Sequence, residues 1–534
     1  MHNGAGRVFA KTGMVVIMLK RMVWSLVLLG IIAPWVALLA REPRPDGPAN
    51  EGIDQPLLIH LMHPGEESLP GDPNAAFYLD GTYHLHYILR HPWQGRQSFS
   101  FVHVTSPDLL HWTWQTTKLQ PSFTGHGMFS GTGFLTKDNQ PAVIYHGESS
   151  GRNQIAIAED RHLSAWQKPF PVDVRDQAGE PAKINHWDPD CFRIGDTYYA
   201  ISGGPNPPLF KSDDLKTWTL VGDFMAHELP NVTIGEDVSC PNFFPIGDKW
   251  MLLCISHPLG CRYYLGDWDA ERQQFVPEVH QRMNWKRDEQ VVWGLFQRTD
   301  FFAPESVLTP DGRRVMWAWL TTAGPKGELL NKTVQSLPRE LSLRDDGTLR
   351  IAPVRELESL RGQPMVAENI VLDQPMTGHG GHAPPNQRPW LQQIGTLPSE
   401  ACELRVTVER GEANRKLFGL VLFADEQGNG LPILFRPETG TIRLGSTEAP
   451  FAVADLPEAE AIELRIFVDR YLVEVFVNDR QALVAAFPSY GSRREINAFT
   501  VGAPTTIQRL ETWPLQPTNA GYLQAKEDRV WEPE

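Results

Sequence analysis

A two-residue turn followed by an apolar strand recurs along the first two thirds of the chain, and this repeat constrains the fold most strongly. An Asp-Gly or Gly-Asp pair flanked by apolar residues favours a β-hairpin. Hairpins repeated in this way predict a radial β architecture with one small sheet for each repeat. The segments with this pattern are DGTYHLHY (Asp80–Tyr87), GDTYYAIS (Gly195–Ser202), GDKWMLLCIS (Gly247–Ser256) and DGRRVMWAWL (Asp311–Leu320).

A second motif repeats in the same region, where SPDLLHW at Ser106–Trp112 returns as SDDLKTW at Ser212–Trp218. The spacing of the repeats is irregular, so a jelly roll or a sandwich is the alternative to a radial fold. From about residue 367 to 515 the pattern changes to strands with alternating or continuous apolar residues, such as CELRVTVER and LFGLVLFA. These strands predict a β-sandwich.

Length, charge and cysteine content narrow the class of protein. The chain has 534 residues, which exceeds the usual size of one domain and predicts two. Its formal net charge of −15 argues against a nucleic-acid partner, because the phosphate backbone needs a basic surface. The 5 cysteines are odd in number and include no CxxC pair, so we expect neither a disulfide framework nor a zinc site.

The N-terminus predicts export. Lys20 and Arg21 precede an uncharged apolar stretch from Met22 to Ala40, and Arg41 follows it. A basic segment followed by an apolar core is typical of a signal peptide, and a stretch of about 20 apolar residues is also long enough for an uncleaved anchor. We therefore expect an extracytoplasmic protein that contacts a membrane only through this possible anchor.

Three acidic segments each stand just before an apolar strand of the first region. They contain Asp72 in GDPN, Asp188 in WDPD, and the pair Glu236-Asp237 in GEDVSCP. Each acid alone fits a turn. Acids at the starts of several radial strands meet at one end of the axis, where neighbouring carboxyls raise one another's pKa. One then donates a proton while another stays ionised, as glycoside cleavage requires.

These motifs, taken in order, resemble glycoside hydrolase family 32, the group of invertases, levanases and inulinases. The resemblance covers roughly residues 54–515 and implies an all-β fold, a five-bladed β-propeller followed by a C-terminal β-sandwich. The segments that carry it are GDPN, SPDLLHW, FSGTGF (Phe129–Phe134), WDPDCF, DFFAPES (from Asp300), SLPRELSL (Ser336–Leu343) and LRIFVDRYLVEVFVND (Leu464–Asp479).

The N-terminal pattern, the strand patterns, the polar C-terminal composition and the resemblance together predict the domain limits. We expect a signal peptide or anchor at 1–45, the propeller at 50–348, a linker at 349–366, the sandwich at 367–515 and a tail at 516–534.

The same resemblance implies the chemistry. Asp72 corresponds to the nucleophile and Asp188 to the acid that stabilises the transition state, while Asn74, Phe129 and Ser130 would contact the sugar. The expected reaction is retaining hydrolysis of terminal β-fructofuranosyl bonds in sucrose or fructans, with an oligosaccharide or polysaccharide substrate and without metal or organic cofactor.

The sequence departs from the family pattern around the expected sugar. Gly71, Ile88 and Trp187 stand where the family has Asn, Gln and Arg. Trp187 could instead stack on a sugar face. Because three polar groups are replaced, a related glycosidase with non-fructose specificity, such as an arabinosidase-like enzyme, is an alternative.

The acid/base residue is the other departure. Ser239 stands directly before Cys240-Pro241, where the family has Glu. Glu236 is the predicted acid/base because it is long and of the family's residue type, and Asp237 is the runner-up because it shares a strand face with Ser239. If neither reaches the site, the chain is a non-catalytic glycan-binding protein. His103 and His257 are interpreted as structural histidines.

Overall fold

The computed structural model describes residues 55–66, 70–284, 298–323, 329–374, 376, 390–411 and 418–533. The predicted signal peptide or anchor at 1–45 lies outside these ranges. Within them, no helix combines the length and the apolar character that crossing a membrane requires.

The described part of residues 73–353 forms five separate sheets, four of them purely antiparallel. The strands of the first two sheets are β1 Pro73–Leu79, β2 Thr82–Trp93, β3 Arg96–Ser106 and β4 Thr113–Trp114, then β5 Met128–Leu135, β6 Pro141–Gly147, β7 Arg152–Ile157 and β8 Phe170–Pro171. The third sheet contains β9 Val174–Arg175, β10 Pro189–Ile194, β11 Thr197–Ser202, β12 Pro208–Ser212 and β13 Trp218–Asp223. The fourth and fifth contain β14 Ser239–Ile246, β15 Lys249–Ser256, β16 Gly260–Asp269 and β17 Gln274–Arg282, then β18 Arg298–Leu308, β19 Arg314–Ala323, β20 Leu329–Gln335, β21 Arg339–Leu343 and β22 Leu349–Pro353.

The sheets are arranged in a ring. Strand β1 contacts β5, β5 contacts β10, β10 contacts β14, β14 contacts β18, and β18 returns to β1. The predicted turns join the first two long strands of their sheets, as at Asp80-Gly81, where Leu79 pairs with Thr82. One small hairpin-based sheet for each repeat is therefore what the sequence pattern produces.

Four of the five ring strands carry a register shift at corresponding places. The shifts lie between Asn74 and Phe77, Met128 and Gly131, Ser239 and Asn242, and Phe302 and Pro304. Ala75, Cys240 and Ala303 within three of them have positive φ angles, which is uncommon for residues other than glycine. Bulges re-aim side chains and are frequent beside active sites, so this edge of the ring is where a site is expected.

The remaining strands form two six-stranded sheets, as the alternating pattern predicts. One contains β23 Met365–Leu372, β25 Ala401–Val408, β30 Ile462–Asp469, β31 Leu472–Val477, β32 Gln481–Ala486 and β34 Thr505–Pro514. The other contains β24 Leu391–Thr396, β26 Phe418–Ala424, β27 Leu431–Arg436, β28 Thr441–Leu444, β29 Thr447–Pro450 and β33 Glu495–Thr500. Among the described residues, short 3-10 helices lie at Arg355–Leu360, Val453–Asp455 and Pro488–Tyr490, and α-helices at Pro121–Thr124 and Ala520–Asp528.

A buried polar cluster joins the ring to the six-stranded sheet that contains β30 and β31. Asp469 accepts backbone hydrogen bonds from Leu58, Ile59 and His60, and Nδ1 of His60 lies 2.8 Å from Oδ2 of Asp469. Glu474 accepts hydrogen bonds from the guanidinium of Arg339 and from Nε2 of His60. Burial opposes protonation of His60, but the two carboxylates together raise its pKa to about 9. The side chains of these ionised groups are fully buried, so each depends on its partners.

The segment expected as a tail packs against the first sheet. Tyr522 in the helix Ala520–Asp528 is buried and its ring meets that of Trp114 edge to face. Trp531 is 1% exposed, and its carbonyl oxygen accepts a hydrogen bond from Oγ1 of Thr117. Residues 518–533 therefore belong to the packed structure.

Candidate active site

Asp72 lies immediately before β1, beside the bulge of the first sheet. Oγ of Ser130, from the bulge in β5, donates a hydrogen bond to Oδ2 of Asp72 over 3.1 Å. Among the described residues, Oδ1 of Asp72 has no hydrogen-bond partner although it is buried. This oxygen is thus available for a ligand, as a nucleophile requires.

Asp188 lies immediately before β10 and shares the site with Asp72. The backbone N–H of Cys240, a bulge residue of β14, donates to Oδ2 of Asp188 over 3.0 Å. The Cys240 thiol lies 3.5 Å from this oxygen and 3.7 Å from Oγ of Ser130. Four sheets therefore bring Asp72, Ser130, Asp188 and Cys240 together, as the sequence predicts for the two aspartates.

Burial and mutual repulsion change the acidity of both carboxyls. Burial, with the charge of Asp188, raises the pKa of Asp72 to about 7, while the Ser130 hydrogen bond opposes the rise. Burial also raises the pKa of Asp188 above its ordinary value, against the hydrogen bond from Cys240. His257 lowers both pKa values by its charge, which puts it within electrostatic range of both acids.

A row of aromatic rings, hereafter the aromatic wall, runs beside Ser130. It consists of Phe99, Phe129, His146 and Trp187, whose successive ring centroids are 4.6, 6.0 and 5.6 Å apart. Trp187 is 39% exposed, and its indole N–H donates to Oγ of Ser239 over 3.2 Å. Phe129 and Trp187 are thus placed to contact a ligand, whereas His146 was not singled out from the sequence.

Asn74 is placed differently from the expected sugar contact. Its amide nitrogen donates to the carbonyl oxygen of Asp72 over 2.6 Å, and its amide oxygen accepts from the N–H of Gly131 over 2.7 Å. The residue is 1% exposed. Both ends of the side chain are therefore engaged in fixing the backbone that carries Asp72 and Ser130, and Asn74 acts as a positioning residue.

Two of the positions that depart from the family pattern, Gly71 and Ile88, are buried among the surrounding residues. A Cβ atom on Gly71 would lie 2.6 Å from Oγ1 of Thr333 and 2.8 Å from Nε1 of Trp319, so no side chain fits there. Ile88 is buried, and its backbone N–H donates to the carbonyl oxygen of Asp72. The space of the family's Asn is thus occupied by other residues.

Glu236 lies in a basic environment. Its Oε2 is 2.8 Å from Nη1 of Arg282 and 3.0 Å from Nη1 of Arg262, and Oε1 accepts from Arg282 and from the N–H of Thr233. Burial would raise its pKa, but these hydrogen bonds and charges lower it to about 2. None of the hydrogen bonds found for Glu236 in the described structure leads to Asp72 or Asp188.

Asp237 and His257 form a pair on the side of Ser239. Oδ2 of Asp237 lies 2.6 Å from Nδ1 of His257 and accepts from Oγ of Ser239 over 2.8 Å, while Oδ1 accepts from the backbone N–H of His257. These bonds outweigh burial and hold the pKa of Asp237 well below its usual range. The side chain of His257 is 53% exposed, so the interpretation of His257 as a buried structural histidine is wrong.

The sequence did contain a signal for this pair. The turn at Gly247-Asp248 sets the register of the β14–β15 hairpin, in which Ile246 pairs with Lys249. Counting outward from that turn pairs the residues just before β14 with those just after β15. The bulge in β14 shifts this pairing by one residue. Asp237 thereby faces His257. His103, by contrast, is buried and stacked on His84 and His86, as expected of a structural residue.

Two buried carboxyls of raised pKa, one with an available oxygen, beside a partly exposed aromatic wall define a glycosidase site. The comparisons with known proteins agree with this class. Residues 62–353 match the model of the Glycosyl hydrolases family 32 N-terminal domain, and residues 356–514 match that of the family's C-terminal part. The chain belongs to glycosyl hydrolases family 32 and is a glycosidase of the β-fructofuranosidase type.

Individual relatives span most of the chain. It is 30% identical over 477 residues to raffinose invertase of Escherichia coli, which covers 82% of this chain and 90% of the relative. It is 26% identical over 500 residues to levanase of Bacillus subtilis, covering 84% of this chain and 69% of the relative. Fructan 1-exohydrolase IIa from Cichorium intybus shares its fold with a TM-score of 0.64 at 18% identity, over 86% of this chain and 97% of that chain.

Proposed function

We propose that this protein hydrolyses terminal β-fructofuranosyl bonds of sucrose or of fructans, such as levan and inulin, with retention of configuration. The observation that carries the proposal is the joining of Asp72 and Asp188 through Ser130 and Cys240 where four sheets meet. The family relationship and the names of the relatives, an invertase and a levanase, support the same sugar.

The reaction proceeds by double displacement. A carboxylate oxygen of Asp72 forms a bond to the anomeric carbon while the bond from that carbon to the leaving oxygen breaks, and an acid protonates that oxygen. Asp188, held by the Cys240 amide, stabilises the positive charge that develops on the fructosyl ring. Water then attacks the fructosyl-enzyme, and the same acid, now a base, takes the proton of the water.

The test measures fructose release from sucrose, inulin and levan by the purified protein. Asp72→Asn and Asp188→Asn should each lower release by about 10³-fold or more, since an amide neither attacks nor stabilises the charge. Asp80→Asn, at an exposed carboxylate paired with Arg161, is the matched control and should keep full activity. Methanol as acceptor should yield methyl β-fructofuranoside, the product expected of retention.

The residues around the expected sugar also favour a second substrate class, furanosides other than those of fructose. Thr333 and Trp319 leave no room for a side chain at residue 71, and Trp187 stands in place of the family's Arg. A furanoside that needs fewer polar contacts than fructose, such as an arabinofuranoside, suits these changes. Arabino- and galacto-oligosaccharides are therefore included in the panel. Glycan binding without any release would favour the non-catalytic reading.

The architecture is proposed in the same terms. We interpret the ring of sheets as five blades of a propeller and the two six-stranded sheets as a β-sandwich. The linker expected at 349–366 shortens to 354–364, because β22 at Leu349–Pro353 belongs to the fifth sheet and β23 begins at Met365. Residues 518–533 pack back on the first blade. The apolar stretch Met22–Ala40 supports export by a signal peptide or anchor. Cell fractionation of the full chain, with N-terminal sequencing of the mature protein, tests both location and cleavage.

A further inference from the structure

The proposed reaction needs a proton donor, and the residue at the family's position cannot supply one. Ser239 is fully buried, and its hydroxyl is engaged with Asp237 and with the indole of Trp187. A serine hydroxyl is also far too weak an acid to protonate a leaving oxygen at neutral pH. The donor must therefore come from a neighbouring side chain.

Glu236 is unsuited to the task. Both its oxygens are held by Arg282, and Arg262 adds a second guanidinium. Its side chain is 1% exposed, and the hydrogen bonds found for it in the described structure lead to neither Asp72 nor Asp188. A carboxylate clamped by two arginines stays ionised, and an ionised carboxylate has no proton to give.

The Asp237–His257 pair has the geometry of an oriented acid/base. A carboxylate only accepts hydrogen bonds, so the 2.6 Å contact fixes a proton on Nδ1 of His257. Proton exchange then occurs at Nε2, on the other side of the ring. The ring is 53% exposed, stands edge-on to Phe302 and acts electrostatically on both Asp72 and Asp188. Ser239, which donates to Asp237, directly precedes Cys240, whose N–H donates to Asp188, so the Asp237–His257 pair lies beside the catalytic acids.

We propose that His257, oriented by Asp237, is the acid/base of this enzyme and replaces the family's glutamate; the inference rests on the proposed hydrolysis. In the first step Nε2–H gives its proton to the leaving oxygen as its bond to the anomeric carbon breaks and Asp72 bonds to that carbon. In the second step neutral Nε2 takes a proton from water as the water oxygen bonds to the anomeric carbon and the bond to Asp72 breaks. Protons, bonds and charge balance over the cycle.

His257→Asn and His257→Gln are the test variants. Asn retains an N–H near the position of Nδ1, which keeps a donor for Asp237, while neither side chain transfers protons. We expect sucrose or fructan turnover to fall about 10²–10⁴-fold. An aryl β-fructofuranoside with a nitrophenol leaving group needs no protonation, so its first step should keep most of its rate. Azide should accelerate the second step and produce fructosyl azide.

The pH dependence gives a readout that a structural role does not produce. In the part of the chain that the structure describes, His257 contacts the carboxyl of Asp237 and the uncharged ring of Phe302, and its charge acts on the carboxyls of Asp72 and Asp188. The basic limb of kcat/KM should vanish in both His257 variants. Asp237→Asn should keep the limb but shift it to lower pH, because the carboxylate that stabilises the imidazolium is gone.

His111 provides a matched control. Nδ1 of His111 lies 2.7 Å from Oδ2 of Asp108, and its side chain is 50% exposed, so His111→Gln removes an equivalent pair away from the site. This variant should match the wild type in rate, azide response and pH profile.

The outcomes separate the two proposals. No fructose release by the wild type from any substrate would overturn the proposed function and this inference with it. An active wild type whose His257 variants keep the basic limb, or lose aryl and natural substrates equally while folded, would overturn the inference alone. In that case the azide response of Asp237→Asn or Glu236→Gln identifies the true acid.

Discussion

Oγ of Ser130 donates a hydrogen bond to Oδ2 of Asp72 over 3.1 Å, linking the first sheet to the second at the point where both ring strands are bulged. This contact is the main local support for a negative charge that burial and Asp188 otherwise disfavour. The proposed nucleophile is thus held in an environment that costs the folded protein stability when Asp72 is ionised.

Replacing Asp72 by Asn should remove activity and raise stability. The pKa of Asp72 is raised to about 7 from an ordinary value of 3.8, so its ionisation destabilises the folded state increasingly as pH rises from 3.8 to 7. At pH 8 the free energy of unfolding of Asp72→Asn should exceed that of the wild type by at least about 1 kcal/mol, since one pKa unit corresponds to about 1.4 kcal/mol. Urea unfolding at pH 4 and pH 8 measures this, and an equal effect at both pH values would contradict it.

The acidic limb of the pH–rate profile should report the ionisation of Asp72. A nucleophile must be ionised, so kcat/KM should fall about tenfold per pH unit below pH 7. The charge of Asp188 contributes to the raised pKa of Asp72. The residual activity of Asp188→Asn should therefore begin to fall at a lower pH than the activity of the wild type. An unmoved limb in that variant would assign the ionisation to another group.

Glu236→Gln should lose stability. The change leaves the buried Arg262 and Arg282 without their shared carboxylate, and breaking a buried ion pair costs about 3–5 kcal/mol. Asp80→Asn, at the exposed pair with Arg161, should cost less than about 1 kcal/mol. Because the pKa of Glu236 is lowered to about 2, its contribution is present above pH 4.5 and is lost as pH falls toward 2, so the two proteins should converge in acid.

Trp187→Ala should weaken substrate binding more than turnover. The indole is partly exposed at the end of the aromatic wall and is placed to stack on a sugar ring. Loss of this contact should raise KM about 5-fold, in line with roughly 1 kcal/mol for an aromatic contact. Trp187→Phe, which keeps a ring, should recover most of the affinity. A change confined to kcat would instead indicate an effect through Ser239.

The cluster around His60 should make the junction of the two parts sensitive to alkali. The pKa of His60 is raised to about 9 from 6.5, so its contribution to stability is complete below pH 6.5 and is lost as pH rises through 9. The Tm of the wild type should decrease as pH rises from 6.5 to 9, and the Tm of His60→Gln should decrease less over the same pH interval. Equal Tm slopes would show that Asp469 and Glu474 do not hold the imidazolium.

The features predicted correctly from the sequence are those specified by residues that are close together in the chain. Asp-Gly and Gly-Asp turns define the hairpins, and the acid before each apolar strand indicates where Asp72 and Asp188 meet. The surroundings of Glu236 could not be predicted in this way, because Arg262 and Arg282 come from later strands of the same sheet. Residue type favoured Glu236, whereas contacts between distant strands determine its charge.

The last part of the chain shows the same limit. Residues 516–534 are polar in composition, yet Tyr522 and Trp531 are buried against the first sheet. Only two large aromatic residues carry this packing, and their partner surface near Trp114 lies far away in the sequence. The average composition of the segment is polar in spite of these two buried aromatic residues. It therefore predicts an unpacked tail, whereas the structure has a helix packed on the first sheet.

The docking of this helix has a consequence for the order in which the protein assembles. The amide of Asn519 donates to the carbonyl oxygen of Leu57, and the N–H of Thr518 donates to that of Leu58. A growing chain still attached to the ribosome exposes the outer edge of the first sheet until these residues emerge. The first sheet, which follows Asp72, is therefore covered by the segment that is translated last. Synthesis must run past residue 531 before this sheet is fully covered.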